Sequence, residues 1–166
     1  MKQKIHLFIA AVQSKGVFGT LQVGASYIWD HTFDLRYGTD TMSWVKLSDL
    51  EIDAASAERG IDYQPTAAVE LKALFLRLRL PRHYTFVDIG CGKGRVLLIG
   101  AEYGFNKVRG IEFSSRLCEI ARQNIEKYKE INRGKIQFEI FEGDASIYNF
   151  CDDENVIFLF NPFDDI

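Results

Sequence analysis

One twelve-residue stretch constrains this chain more than any other: Tyr84-Thr85-Phe86-Val87-Asp88-Ile89-Gly90-Cys91-Gly92-Lys93-Gly94-Arg95. It reads as a short β-strand that breaks into three alternating glycines and then enters a helix rich in Val, Leu and Ile. Glycine lets a turn take positive φ and lets bare backbone approach a ligand, while the helix that follows aims unpaired N–H groups at the same place. The pattern predicts a nucleotide-like ligand.

The rest of the sequence supplies the frame. With 166 residues, 47% of them hydrophobic, the chain is the size of one domain with a sizeable core. A net charge of −3 gives no general basic footprint, so nucleic-acid binding by electrostatics alone is not expected. Arg77, Arg79 and Arg82 form a local cluster read as a solvated helix face. Cys91, Cys118 and Cys151 are odd in number and lack paired CxxC spacing, which predicts reduced thiols in a cytoplasmic protein and no metal site. Lys2 and Lys4 before an apolar run outline a leader peptide, but His6 interrupts the run and no small-x-small cleavage site follows. No apolar run approaches the ~20 residues that span a bilayer.

Taken in order, residues 1–60 read as a helical and loop extension packed on a core formed by residues 61–166. Glycines interrupt any long helix between Ile5 and Phe33. The segment from Phe33 to Thr41 is expected to be an ordered loop anchored by Phe33, Leu35, Tyr37 and Trp44. Asp49 to Gly60 is acidic and alanine-rich, with Gly60 a stop for a short helix or turn. Ala68, Leu71, Leu74, Phe75 and Leu78 recur at helical spacing from Ala67 to Leu80, with Pro81 just beyond. After the glycine turn come a buried helix from Arg95 to Tyr103 stopped by Gly104, a strand from Lys107 to Glu112, and a helix capped by Ser114 or Ser115. Leu117, Ile120, Ala121, Asn124, Ile125 and Tyr128 line one face of that helix. Ile136, Phe138 and Ile140 alternate as a third strand, and the apolar run Val156 to Phe160 reads as a fourth, covered on both faces. This alternation predicts a parallel α/β sheet of Rossmann-like, three-layer form, with ligands at the strands' carboxyl ends.

Three glycine-loop chemistries compete. A Walker phosphate loop needs Ser or Thr after its Lys, and Lys93 is followed by Gly94. A dinucleotide turn spaces its glycines G-x-G-x-x-G, whereas Gly94 comes one residue early, and Asp88 before the loop would repel a pyrophosphate. A nicotinamide-dependent oxidoreductase is therefore a distant reading. What fits better is a cofactor with ribose hydroxyls and a cationic centre but no phosphate, which describes S-adenosylmethionine.

At this point residues from about Tyr63 to Phe163 resemble the class I, Rossmann-like methyltransferases that use S-adenosylmethionine. Val87 to Arg95 resembles their first motif, Gly110-Ile111-Glu112-Phe113-Ser114 the second, Gly143-Asp144-Ala145 the third and Phe160-Asn161-Pro162-Phe163 the fourth. The wording is closest to small bacterial methyltransferases of unassigned substrate and more distantly similar to non-SET protein-lysine methyltransferases. The resemblance implies that Glu112 and neighbouring Phe113 flank the ribose, that Asp144 and Ala145 hold the adenine, and that Asp88 orients the loop and the methionine ammonium. Gly90, Cys91, Gly92 and Gly94 would cradle the methionine moiety, with Cys91 a wall residue and not a nucleophile. Tyr63 and Thr66 would close over the cofactor, although core or surface roles are open to both; Lys93 and Arg95 read as a solvated helix start. At the reacting end, Asn161 and the Pro162 carbonyl would accept the hydrogens of an amine, with Phe163 packed beside the cationic centre. Many amine methyltransferases carry a second proline and a tyrosine there, where this chain has Asn-Pro-Phe-Asp. The expected reaction is N-methylation of a protein or small-molecule amine.

The family usually builds seven strands, and four are legible here. The most apolar strand is then expected at a sheet edge, open to self-association or to a partner. That predicts a truncated portion of a longer protein, and leaves a second reading: a non-catalytic module, or pseudoenzyme, acting through the exposed edge.

Overall fold

A computed structural model describes residues 28, 30–50 and 62–160. The expectations for residues 1–27 and 51–60, and for Asn161, Pro162 and Phe163, lie outside the described residues.

Four strands form one parallel sheet: β1 (Thr85–Ile89), β2 (Lys107–Glu112), β3 (Gln137–Glu142) and β4 (Glu154–Leu159), in the order β3-β2-β1-β4. The chain lays β2 and β3 on one side of β1, then crosses back to place β4 on the other. The strand order therefore reverses at β1, and its carboxyl end opens onto the switch point where ligands of such sheets bind.

Helices α1 (residues 30–37), α2 (Ala68–Leu78), α3 (Arg95–Tyr103) and α4 (Ser115–Ile131) complete the elements that concern the site. One sheet face, carrying Phe86, Val108, Phe138, Ile140, Val156 and Phe158, packs with Leu71 and Phe75 of α2, Leu97 of α3, and Ile125 and Tyr128 of α4. The Phe75, Phe86 and Phe105 rings lie 5.2–5.5 Å apart at its centre. Ser114 caps α4 by accepting the Leu117 N–H, and Gly104 ends α3 in the left-handed conformation, both as the residue types predict.

Several expectations are corrected. Phe33 and Tyr37 are buried anchors, but they stand on α1 and not on a loop, whereas Leu35 and Trp44 are exposed. Asp34 makes the following turn: its carboxylate accepts the Thr41 and Met42 N–H groups and the Thr39 and Thr41 hydroxyls. Helix α2 is shorter than its apolar spacing suggests, because Arg79 takes φ 50° and turns the chain left-handed; Leu74 and Leu78 are left exposed. Strand β4 is not covered on both faces. Its side chains alternate between half-buried and exposed, with Ile157 and Leu159 open to solvent beside Phe160. On that face Val87, Ile89 and Ile111 are covered by Ala145 and Tyr148. Among the described residues no helix is long and apolar enough to cross a membrane.

Candidate functional site

The glycine turn is built as its sequence suggests. Gly90 and Cys91 donate their N–H groups to the Ile111 carbonyl at 2.9 and 3.0 Å, which carries the hydrogen-bonding of β1 one step past its end. Gly92 takes φ 51° and its Cα faces the Tyr63 ring so closely that a Cβ there would run into it. A side chain at 92 is thus excluded twice, by conformation and by space. Gly94 takes φ 81° and packs on Ala121, so its part is to admit α4 and not to line the cavity.

The second motif is tied to the first by Glu112. One carboxylate oxygen accepts the Gly92 N–H and the other accepts the Ser114 N–H, each at 2.9 Å. Burial raises the Glu112 carboxyl above its ordinary value, opposed by the N–H groups of Ser114, Gly92 and Phe113. Each oxygen keeps a further lone pair, so the carboxylate can serve the turn and still accept a hydroxyl.

Asp88 closes the floor. It is 3% exposed and lines the cavity. Burial, reinforced by the charge of Glu112, raises its carboxyl well above the ordinary aspartate range. A buried ionised carboxylate is costly unless something cationic meets it. Burial likewise pushes the Cys91 thiol up, followed by the nearby carboxyls of Glu112 and Asp88.

The cavity between these groups is about 70 Å³. Asp88, Gly90, Cys91, Gly92, Glu112, Phe113, Tyr63 and Thr66 all line it, which unites eight of the residues singled out from the sequence. Asp144 and Ala145 do not. Asp144 is exposed and caps a 3-10 turn at Ala145–Ile147 by accepting the Ser146 N–H at 2.7 Å, and Ala145 packs on the open sheet face. Phe160, the first residue of the fourth motif, also lines it, and Leu50, Asp62 and Gln64 join without having been singled out. Asp62 and Gln64 flank Tyr63 and could have been found with it; Leu50 carried no local signal.

Lys93 and Arg95 are not a solvated helix start. They are 1% and 2% exposed. Arg95 donates to the Thr66 carbonyl at 2.8 Å, to the Thr41 hydroxyl at 2.7 Å and to the Asp30 carboxylate at 2.7 Å, and its guanidinium lies over the Phe33 ring. The same Asp30 oxygen accepts the Ala68 N–H at 2.8 Å, which satisfies the start of α2. The cations of the turn are therefore engaged with Asp30, Asp40, Thr41, Ser43 and Thr66, while Asp62, Asp88 and Glu112 line the cavity together with Arg95.

Proteins similar to this chain include methyltransferases. Residues 86–164 match a family model described as a methyltransferase domain. Ribosomal protein L11 methyltransferase of Thermotoga neapolitana is 28% identical over 68 residues, 41% of this chain and 25% of the relative. The chain thus spans a quarter of the length of that curated relative. Among solved structures, an S-adenosylmethionine-dependent methyltransferase from Thiobacillus denitrificans, in complex with S-adenosyl-L-homocysteine, is 28% identical. That match covers 48% of this chain and 31% of the other, with a TM-score of 0.41. An RNA methyltransferase from Salinibacter ruber, also in complex with S-adenosyl-L-homocysteine, is 21% identical over 57% of this chain and 59% of the other, with a TM-score of 0.49.

Proposed function

We propose, for a chain whose residues 86–164 match the methyltransferase-domain model, transfer of a methyl group from S-adenosylmethionine to an amine nitrogen of a protein or small molecule. The observation that carries this reading is the Asp88 carboxyl, 3% exposed, facing the same cavity as Glu112 and the bare glycine backbone of the turn. The residues present fit the cofactor. Asp88 would meet its ammonium, the backbone of Gly90 and Gly92 would pass beside its methionine chain, and Glu112 would accept its ribose hydroxyls. Asp144 and Ala145 would reach the adenine beyond the cavity's present edge.

When bound, S-adenosylmethionine supplies a methyl group activated by a sulfonium leaving group. The chain's own residues then have to align, desolvate and receive. Asn161 and the Pro162 carbonyl would hold the amine hydrogens so that the nitrogen lone pair faces inward, with Phe163 beside the cationic centre.

Proton linkage at Asp88 tests the reading. In the chain alone its raised value keeps a proton on the carboxyl where a free aspartate is ionised. A bound ammonium favours the ionised form, so binding expels that proton. Affinity is expected to rise with pH from the ordinary carboxylate range up to Asp88's raised value, by as much as about tenfold per pH unit, and then to level off. The ligand-free fold should lose stability across the same window, because the folded state binds more protons there than the unfolded state. Calorimetric titrations at several pH values check this, with Asp88→Asn flattening the profile; a flat wild-type profile speaks against an ammonium at Asp88.

One further observation favours a second reading. Among the described residues strand β4 is a sheet edge, and Ile157, Leu159 and Phe160 are 45–54% exposed on and just after it. An apolar edge of this kind invites pairing with a second copy or with the strand of a partner. If association through β4 is the function, sedimentation should show concentration-dependent self-association that Ile157→Lys abolishes, while no methyl acceptor is found; a monomer at all concentrations counts against pairing with a second copy.

A further inference from the structure

Resting on the cofactor reading, we propose that Lys93 and Asp40 are positioning residues of the site. They strap residues 40–45 and Tyr63 down over the glycine turn, so that a ligand enters when Tyr63 lifts off Gly92 and is retained when it returns.

Lys93 is buried just before the start of α3, where a lysine ordinarily faces water. A buried ammonium is costly unless it is well paired. Lys93 finds its partners in the chain's earlier segment: the Asp40 carboxylate at 3.0 Å and the Ser43 hydroxyl, with the Tyr63 ring centroid 5.6 Å from its nitrogen. Asn124, buried on α4, fastens both sides of this contact. Its amide donates to the carbonyls of Asp40 at 3.1 Å and Lys93 at 3.0 Å, and its oxygen accepts the Asp40 N–H at 2.9 Å.

Tyr63 is held from the same segment. Its hydroxyl donates to the Thr41 carbonyl at 2.8 Å and its N–H to the Val45 carbonyl at 2.9 Å. So fixed, the ring lies against the bare face of Gly92, the backbone that a ligand has to approach. Beneath it is a cavity of about 70 Å³. A ligand that lies along the bare backbone of Gly92 has to displace the Tyr63 ring. Lys93 and Asp40 are not among the residues lining the cavity, so whatever they do to a ligand they do through Tyr63 and the strap.

Cys91 offers a gauge that does not depend on any ligand, since it lines the cavity and is 4% exposed. In a Cys118→Ala, Cys151→Ser background its rate of reaction with a thiol reagent reports opening. Lys93→Met and Asp40→Asn are each expected to speed the labelling at least tenfold, well above the rate of global unfolding measured in the same variants. The double variant should be no faster than the faster single one, because both cut one link. Asp40 is exposed enough for Asp40→Asn to fold if Lys93→Met does not. Labelling at the wild-type rate in the variants, or only at the rate of global unfolding, overturns the strap. Saturating S-adenosylmethionine should slow labelling of the wild type. If variants open the site as expected but the cofactor neither protects Cys91 nor gives heat on titration, the strap stands and the cofactor reading fails.

Discussion

Replacing Glu112 with alanine is expected to weaken S-adenosylmethionine binding by at least about 100-fold, which corresponds to about 2.7 kcal/mol. The side chain has two duties. It would accept ribose hydroxyls, and it already accepts the Gly92 and Ser114 N–H groups, one on each oxygen. Removing it leaves two buried donors without an acceptor, at roughly 1–3 kcal/mol each. Stability should therefore fall together with affinity, and the glycine turn should be left with the Ile111 carbonyl as its tie to β2. Glu112→Gln separates the duties, because it keeps the shape and one accepting oxygen while turning an NH₂ toward a backbone donor. Its loss of stability should be the smaller, with most of the loss of affinity retained. Calorimetry paired with urea unfolding reads both quantities; wild-type affinity in a folded Glu112→Ala chain would contradict the placement of this carboxylate in the site.

Loss of Arg95 should produce the largest fall in stability. The guanidinium is 2% exposed and joins three parts of the chain: Asp30 and Thr41 from the earlier segment, Thr66 before α2, and the start of α3. Breaking a buried ion pair by removing one partner costs about 3–5 kcal/mol, because the other charge is left buried alone. In Arg95→Ala the stranded group is Asp30, whose carboxylate then keeps, among the described residues, the Ala68 N–H. At roughly 2–4 °C per kcal/mol for a chain of this size, the thermal midpoint should drop by about 6–20 °C. Asp30→Ala combined with Arg95→Met should recover part of that loss, since no charge is then stranded. A change under about 1 kcal/mol in Arg95→Ala, measured by urea unfolding, would show that the network is not holding the segment to the core.

The contrast between these two residues shows what the sequence could and could not disclose. Glu112 was legible because its signal is local: a strand by alternation, a carboxylate at its end, and the glycine turn of the preceding strand, which any parallel α/β arrangement brings alongside. Asp88, Gly90, Cys91, Gly92 and Phe113 were legible on the same ground, and the structure sets all of them around one cavity. Arg95 was misread because a basic residue at a helix start usually faces water, and its partner Asp30 lies 65 residues earlier with no pattern linking the two. The same holds for Lys93 with Asp40. Asn124 is an intermediate case. Its place on the apolar face of α4 was visible from helical spacing, but the reason for a polar residue there appears only once Asp40 and Lys93 are seen on either side of it. Strand β4 was misjudged for a further reason. An unbroken apolar run implies cover on both faces only if other elements supply the cover, and composition cannot say whether they do. Asp144 was identified as a motif, but its carboxylate is engaged with its own turn, as aspartates in such positions are.

The reading as a whole stands on whether this cavity takes S-adenosylmethionine. A calorimetric titration of the wild-type chain with that cofactor, set beside one with a nicotinamide dinucleotide, is the direct measurement. The structure leads to saturable one-to-one binding of S-adenosylmethionine, with protons released where Asp88 is protonated in the free chain, and no saturable heat from the dinucleotide. Absence of S-adenosylmethionine binding at millimolar concentration, or preference for the dinucleotide, would contradict the account.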